Sequence, residues 1–326
     1  MHAAGSPALR PLGVGEVLDR AVTLCVKHFA VLATIFVVYA VPFAVLQFLA
    51  GRDLAGILAT VTAAVTAKSA GGKPADPARL AHALASLPPL GAWYPLLVVA
   101  IFVVGPLPGA ALIEACAAFY LGRPSSFGAA YRTALARWPQ LIALNVLYAF
   151  AGIVLYVVLV LAVVLVAIGI AAVTTAVHVL GVAVAVTFGL AAFVAGIAFF
   201  IVASLALQVS YFTCVVERTN AVTAFSLGLR RVFVGVGLVR SLLVGVAYLA
   251  IGIGIGIVAL VGESVLVGLL HSQIAGSTYG ALVRVATAAF TTAFVGIFYF
   301  DLRVREEGLD LQIDAERARG QVVPSV

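Results

Sequence analysis

Charge is scarce in this sequence. Of 326 residues, 10% are Asp, Glu, Lys or Arg, against about 25% in an ordinary soluble domain. With 64% hydrophobic residues and a mean hydropathy of +1.20, the chain has too little polar surface to be wrapped by water. Cysteine is equally sparse. Cys25, Cys116 and Cys214 are odd in number and far apart, which excludes a disulfide framework and a zinc knot. The five histidines form no HExxH pair, and no Cys/His cluster has metal-ligand spacing. No GxxxxGK[ST] loop and no GxSxG elbow is present. No catalytic residue, metal or cofactor is therefore expected. Alternation at period two is also lacking, which argues against a membrane β-barrel.

What is present is long apolar runs. A bilayer-spanning helix needs about 20 apolar residues. The runs place spans at about 29–49, 93–120, 140–171, 184–214, 236–261 and 281–300. The expected fold is an all-α membrane protein, a six-helix transmembrane bundle in one domain over 1–310, with a disordered cytoplasmic tail over 311–326. Pro42 lies inside the first span, and Pro106 and Pro108 should kink the second. Residues 51–90 read as a polar connection, with Asp76-Pro77 opening a short helix. The stretch 140–216 is almost continuously apolar and holds two spans or three. Charge parity favours two, with a turn near Thr174, Thr175 and His178.

The basic residues fall in short clusters between spans. With a net charge of +6, such clusters fit membrane orientation and not a nucleic-acid groove. Placing the N-terminus inside leaves only Arg52, Lys68, Lys73, Arg79 and Arg284 of the 19 Lys and Arg residues outside. Both termini are then cytoplasmic in a bacterial inner membrane. Met1 to Pro11 has no apolar h-region, so no cleaved signal peptide is expected.

Three amphipathic stretches precede spans, at residues 11–28, 122–139 and 217–234. In the first, Val14, Val17, Leu18, Ala21, Leu24 and Cys25 share a helical stripe, with Glu16, Asp19, Arg20 and Lys27 off it. Ser125 or Ser126 caps the second. A shift of 95 residues aligns Arg123 with Arg218, Ser125 with Asn220, Ala129 with Ala224 and Asn145 with Arg240. The chain thus reads as three repeats of a cytoplasmic amphipathic helix followed by a transmembrane hairpin.

Ionisable groups inside spans are costly and are functional candidates by default. Glu114, Asn145, Gln208 and Arg240 lie at similar depth and form a candidate intramembrane polar belt. One reading pairs Glu114 with Arg240 and uses the amides to join helices. The other is a polar cavity for a substrate or proton. Gly252, Gly254 and Gly256, with Gly235 and Gly237 upstream, suggest close helix packing.

Three stretches carry a resemblance: RPLGVGEVLDRAVTL near the start, VVERTNAVTAFSLGLRR in the middle and FYFDLRVREEGLDL at the end. They resemble the bacterial glycerophosphoryl diester phosphodiesterase membrane domain family, whose members are similar over nearly the whole chain. The end motif is the most specific of the three. A phosphodiesterase barrel needs about 250 residues of alternating strands and helices, for which this chain has no room. The resemblance therefore implies the membrane architecture and not the hydrolase. It also draws attention to Arg10, Pro11, Glu16, Asp19, Glu217, Arg218, Asp301, Arg303, Arg305, Glu307, Gly308 and Asp310. With Arg20 these form a candidate cytoplasmic charged collar. It reads either as a clamp between the N-terminal helix and the end of span six, with Asp19 facing Arg303, or as a dock for a soluble partner or lipid headgroups.

The resulting expectation is a non-catalytic membrane protein, an accessory or scaffold in envelope or lipid-related processes. Its expected partners are membrane lipids and a membrane or cytoplasmic protein. A transporter or lipid-handling carrier using the polar belt is the alternative, and a membrane enzyme the third reading.

Overall fold

The structure, a computed structural model, describes residues 11–66, 85, 93–176, 178–235 and 238–308. Every regular element among the described residues is helical. They are α1 (Val14–Thr66), α2 (Trp93–Val99), a π turn (Ala100–Val104), α3 (Pro106–Tyr120), α4 (Phe127–Ala176), α5 (His178–Val216), α6 (Ala221–Arg230), a second π turn (Arg231–Gly235), α7 (Leu238–Leu270) and α8 (Gln273–Glu307). Among the described residues, five stretches are long and apolar enough to cross a bilayer: Val14–Ala50, Trp93–Tyr120, Gly189–Val216, Leu238–Leu270 and Gln273–Glu306. The chain is an all-α, multi-pass membrane protein. α4 ends at Ala176 and α5 begins at His178, beside the expected turn.

Two sequence expectations are corrected. The first helix does not end near Leu49 but runs on to Thr66. Residues 54–66 are mostly Ala, Leu, Val and Thr with no Pro, and Gly71-Gly72 comes later. The remaining expected loop, including Asp76-Pro77, lies outside the described residues. The backbone breaks at His28 (φ −117°, ψ 17°), at the expected boundary between the stretch 11–28 and the first span, and α1 continues through Pro42. Second, residues 122–139 do not form a separate surface helix. From Phe127 on they are the first turns of α4, which passes through Pro139 without a break.

The chain divides into two compact units. The smaller comprises Val37–Gly105 and Ala259–Val285. There the Tyr39 hydroxyl donates to the Ala100 carbonyl at 3.3 Å, and the Tyr94 hydroxyl to the Ala50 carbonyl at 3.1 Å. Arg284 donates to the Gln47 side-chain oxygen. Ahead of the two prolines of the second span lies the π turn Ala100–Val104. Pro106 cannot donate, so the preceding residues widen into a π turn closed by Gly105 N–H to the Ala100 carbonyl at 2.8 Å. A Cβ at Gly105 would lie 2.6 Å from the Ile101 carbonyl oxygen, so only glycine fits.

The larger unit comprises Met1–Phe36, Pro106–Val258 and Ala286–Val326. Its centre is the C-terminal part of α8, where every residue from Ala293 to Val304 is buried. Tyr299, Phe212, Phe294, Phe298 and Phe300 are the largest side chains enclosed. Around them, three helix starts bury their fourth and eighth residues: Val17 and Ala21 in α1, Ala130 and Ala134 in α4, Ala224 and Gly228 in α6. Small residues let each start lie close against its neighbour. At Gly228 a Cβ would overlap the Ser210 hydroxyl. The glycines expected to pack closely are not these. A Cβ at Gly252, Gly254 or Gly256 meets nothing within 4 Å among the described residues, whereas one at Gly245 would overlap Ile201.

Candidate functional site

The end of α8 carries alternating polar residues, and a helix turns by 100° per residue. Asp301 and Arg305 therefore share one face, while Tyr299 and Arg303 share a roughly opposite one. Each face closes a separate ion network in the larger unit.

The first network is built on Asp301, whose side chain is fully enclosed. Its Oδ1 accepts the Leu12 N–H at 2.7 Å and Arg305 Nε at 3.1 Å. Its Oδ2 accepts Arg240 Nη2 from α7 at 2.6 Å. The same two arginines donate to the Leu12 carbonyl, at 2.6 Å from Arg240 and 3.0 Å from Arg305. Both polar atoms of the Leu12 backbone are thus held, just ahead of the start of α1. There Gly13 N–H donates to Glu16 Oε2 at 2.8 Å, half of a capping box. Beside this network Arg20 Nη1 donates to the Tyr120 hydroxyl at 3.2 Å, and the Tyr120 ring stacks on Phe300 at 5.1 Å.

The second network is built on Glu217, at the end of α5. Arg231 donates to it twice, Nη1 to Oε1 at 2.5 Å and Nη2 to Oε2 at 3.2 Å. Such a forked pair fixes orientation as well as charge. Arg231 also donates to Thr213 Oγ1 at 3.0 Å and lies over the Tyr299 ring at 5.7 Å. The Tyr299 hydroxyl donates to Glu217 Oε1 at 2.5 Å, and Arg303 Nε stands 3.9 Å from the same oxygen. The turn that delivers Glu217 needs Arg218 in the left-handed region, φ 56°. Arg137 Nη1 from α4 secures that turn by donating to the Arg218 carbonyl at 2.9 Å. Asn220 then caps α6, accepting Thr223 N–H at 2.8 Å.

Of the expected collar, Asp301, Arg303, Arg305, Glu217, Arg218, Glu16 and Arg20 fall in or beside these networks. Asp19 is exposed and faces no described cation, so the Asp19–Arg303 clamp is corrected to Leu12–Asp301. The α1 partner is a backbone group, which charge patterning does not reveal. Arg10 and Asp310 lie outside the described residues. The last helix does not end with the expected span at Phe300 but continues, buried, as far as Val304.

The expected polar belt does not assemble as one group. Arg240 belongs to the Asp301 network and does not pair with Glu114. Asn145 Oδ1 accepts from the Tyr211 hydroxyl. One turn away the Tyr148 and Ser210 hydroxyls meet at 2.7 Å. Glu114 and Gln208 are half-buried, and neither has a hydrogen bond or ion pair among the described residues. The residues that sequence reasoning missed are Leu12, Arg231, Tyr299 and Arg137. Arg231 and Tyr299 lie within the stretches that carry the family resemblance, which was the available signal. No group of three or more His, Cys, Asp or Glu able to hold a metal occurs among the described residues.

No protein-family model, curated protein or solved structure matches the chain.

Proposed function

We propose that the chain is a non-catalytic integral protein of the bacterial cytoplasmic membrane, with six spans and both termini in the cytoplasm. It acts as an accessory or scaffold in envelope or lipid-related processes and presents its charged collar to the cytoplasm. The single observation that carries this reading is the use of Asp301. Both carboxylate oxygens are engaged by Arg240, Arg305 and the Leu12 backbone, which makes them fasteners and leaves no free acid or base there. The resemblance to the glycerophosphoryl diester phosphodiesterase membrane domain family agrees with it. Leu12, Glu217, Arg231, Asp301, Arg303 and Arg305 come from the three resembling stretches, and all of them touch the end of α8.

The three-unit repeat is part of the proposal. It is supported by the matching buried positions at the starts of α1, α4 and α6. The caps Ser126 and Asn220 lie 94 residues apart, one fewer than the sequence shift of 95. The π turn after α6 takes up one additional residue, which restores 95 at Asn145 and Arg240.

Extraction into native nanodiscs followed by cross-linking tests the scaffold. A stoichiometric protein partner should be captured, and it should be lost when the exposed collar residues Asp19 and Arg218 are changed to Lys and Glu in folded protein. Capture unaffected by these changes would count against the collar as the presenting surface. A carrier is the second reading, favoured by the half-buried, unpartnered Glu114. It predicts solute or proton flux in proteoliposomes that Glu114→Gln abolishes, while the scaffold reading predicts no flux from either protein.

A further inference from the structure

The Asp301 network holds more positive charge than it neutralises. One enclosed carboxylate faces two guanidiniums, Arg240 and Arg305, and Arg20 adds a third cation through Tyr120, whose ring lies on Phe300. The nearby carboxylates Glu16 and Glu306 have contacts of their own, and Glu16 is engaged at Gly13. Donors are also left over. Arg240 uses only Nη2, and its Nε is buried with no acceptor. Arg305 uses Nε and Nη2 and leaves Nη1. Both side chains are partly exposed, 22% for Arg240 and 30% for Arg305. Burying uncompensated charge is costly, and guanidinium donors match phosphate oxygens in geometry.

We propose that Arg240, Arg305 and Arg20 bind the phosphate of one anionic phospholipid headgroup from the surrounding leaflet. A phosphodiester carries one negative charge, the amount by which Arg240 and Arg305 together exceed Asp301. The network also closes the ends of two bilayer-length helices, α7 and α8, so a lipid phosphate is the anion present there at highest local concentration. The site names a ligand class that the scaffold reading leaves open. It depends on the membrane architecture and not on which side of the membrane the collar faces. In nanodiscs both leaflets carry the same lipid, so a wrong orientation in the cell would leave the result intact.

The test is native mass spectrometry of the full chain released from phosphatidylcholine nanodiscs doped with phosphatidylglycerol. One retained phosphatidylglycerol per chain is expected. Arg305→Gln should lower its retention about fivefold, the effect of one arginine near an anionic lipid surface. Arg305→Lys should keep most of it, and Lys27→Gln, an exposed cation away from the network, should change little. Should Arg305→Gln fail to fold, Arg20→Gln supports the same comparison. Unchanged retention in the folded glutamine variants would overturn the site, and so would an equal loss in Lys27→Gln, which marks diffuse attraction. Displacement of the lipid by inorganic phosphate would overturn the lipid as source.

Discussion

Asp301 and Glu217 are the carboxylates on which the two arginine networks are built. Removing the charge of a buried partner leaves its arginines uncompensated, a loss of about 3–5 kcal/mol. Asp301→Asn and Glu217→Gln should therefore lower stability in detergent by amounts of that order, read from denaturant or thermal unfolding of purified protein. Exposed Asp19 offers the contrast. Asp19→Asn should shift the same midpoint by no more than about 0.5 kcal/mol, and a shift as large as that of Asp301→Asn would mean that the clamp runs through Asp19 after all. At this scale the sequence marked the right charged positions but not their pairings. Arg240 and Asp301 are 61 residues apart. The third member, Leu12, contributes only backbone atoms, to which residue type gives no clue.

The short helix α6 shows how an element is placed by what it lacks. Asn220 caps it, Ala221, Ala224 and Gly228 form its buried face, and the close approach at Gly228 lets it lie on Ser210 of α5. A methyl group there would overlap the Ser210 hydroxyl. Gly228→Ala should destabilise by about 1–3 kcal/mol, the range for overpacking a well-filled contact. Adding Ser210→Ala should recover only part of that, because the Ser210 Cβ would itself stand 2.9 Å from the new methyl. A full recovery in the unfolding midpoint would show that α6 is less tightly seated than its geometry indicates. That a helix follows Arg218 was legible from the polar residues there. A helix after Ser125 or Ser126 was legible too, but its continuity with the apolar run was not, because Pro139 reads as a boundary. A long helix can absorb a proline when neighbouring helices support it. The glycine run Gly252–Gly256 misled for a related reason. Glycine permits close packing, but only a partner at that depth makes use of it.

For the whole molecule, membrane residence was legible from hydropathy alone, since composition acts on every residue at once. Span count is harder, because it depends on where an unbroken apolar stretch turns. Charge parity favours two spans over 140–216, and α4 ends at Ala176 and α5 begins at His178, beside the expected turn. The proposed six spans and the alternative of five differ at two positions on the surface. Arg123 is exposed between α3 and α4, and Gln273 is exposed at the start of α8. Between them run α4, α5 and α7. If all three cross the bilayer, the two positions lie on opposite sides. If α4 does not cross, they lie on the same side. The native cysteines Cys25, Cys116 and Cys214 are all buried, so an introduced thiol is read against a low background. A membrane-impermeant maleimide added to intact cells stripped of outer membrane should label Gln273→Cys and spare Arg123→Cys, and inverted vesicles should reverse the pattern. Labelling of both from one side would remove α4 as a span. Labelling of Arg123→Cys alone from outside would keep six spans and turn the collar, with its ion networks, away from the cytoplasm.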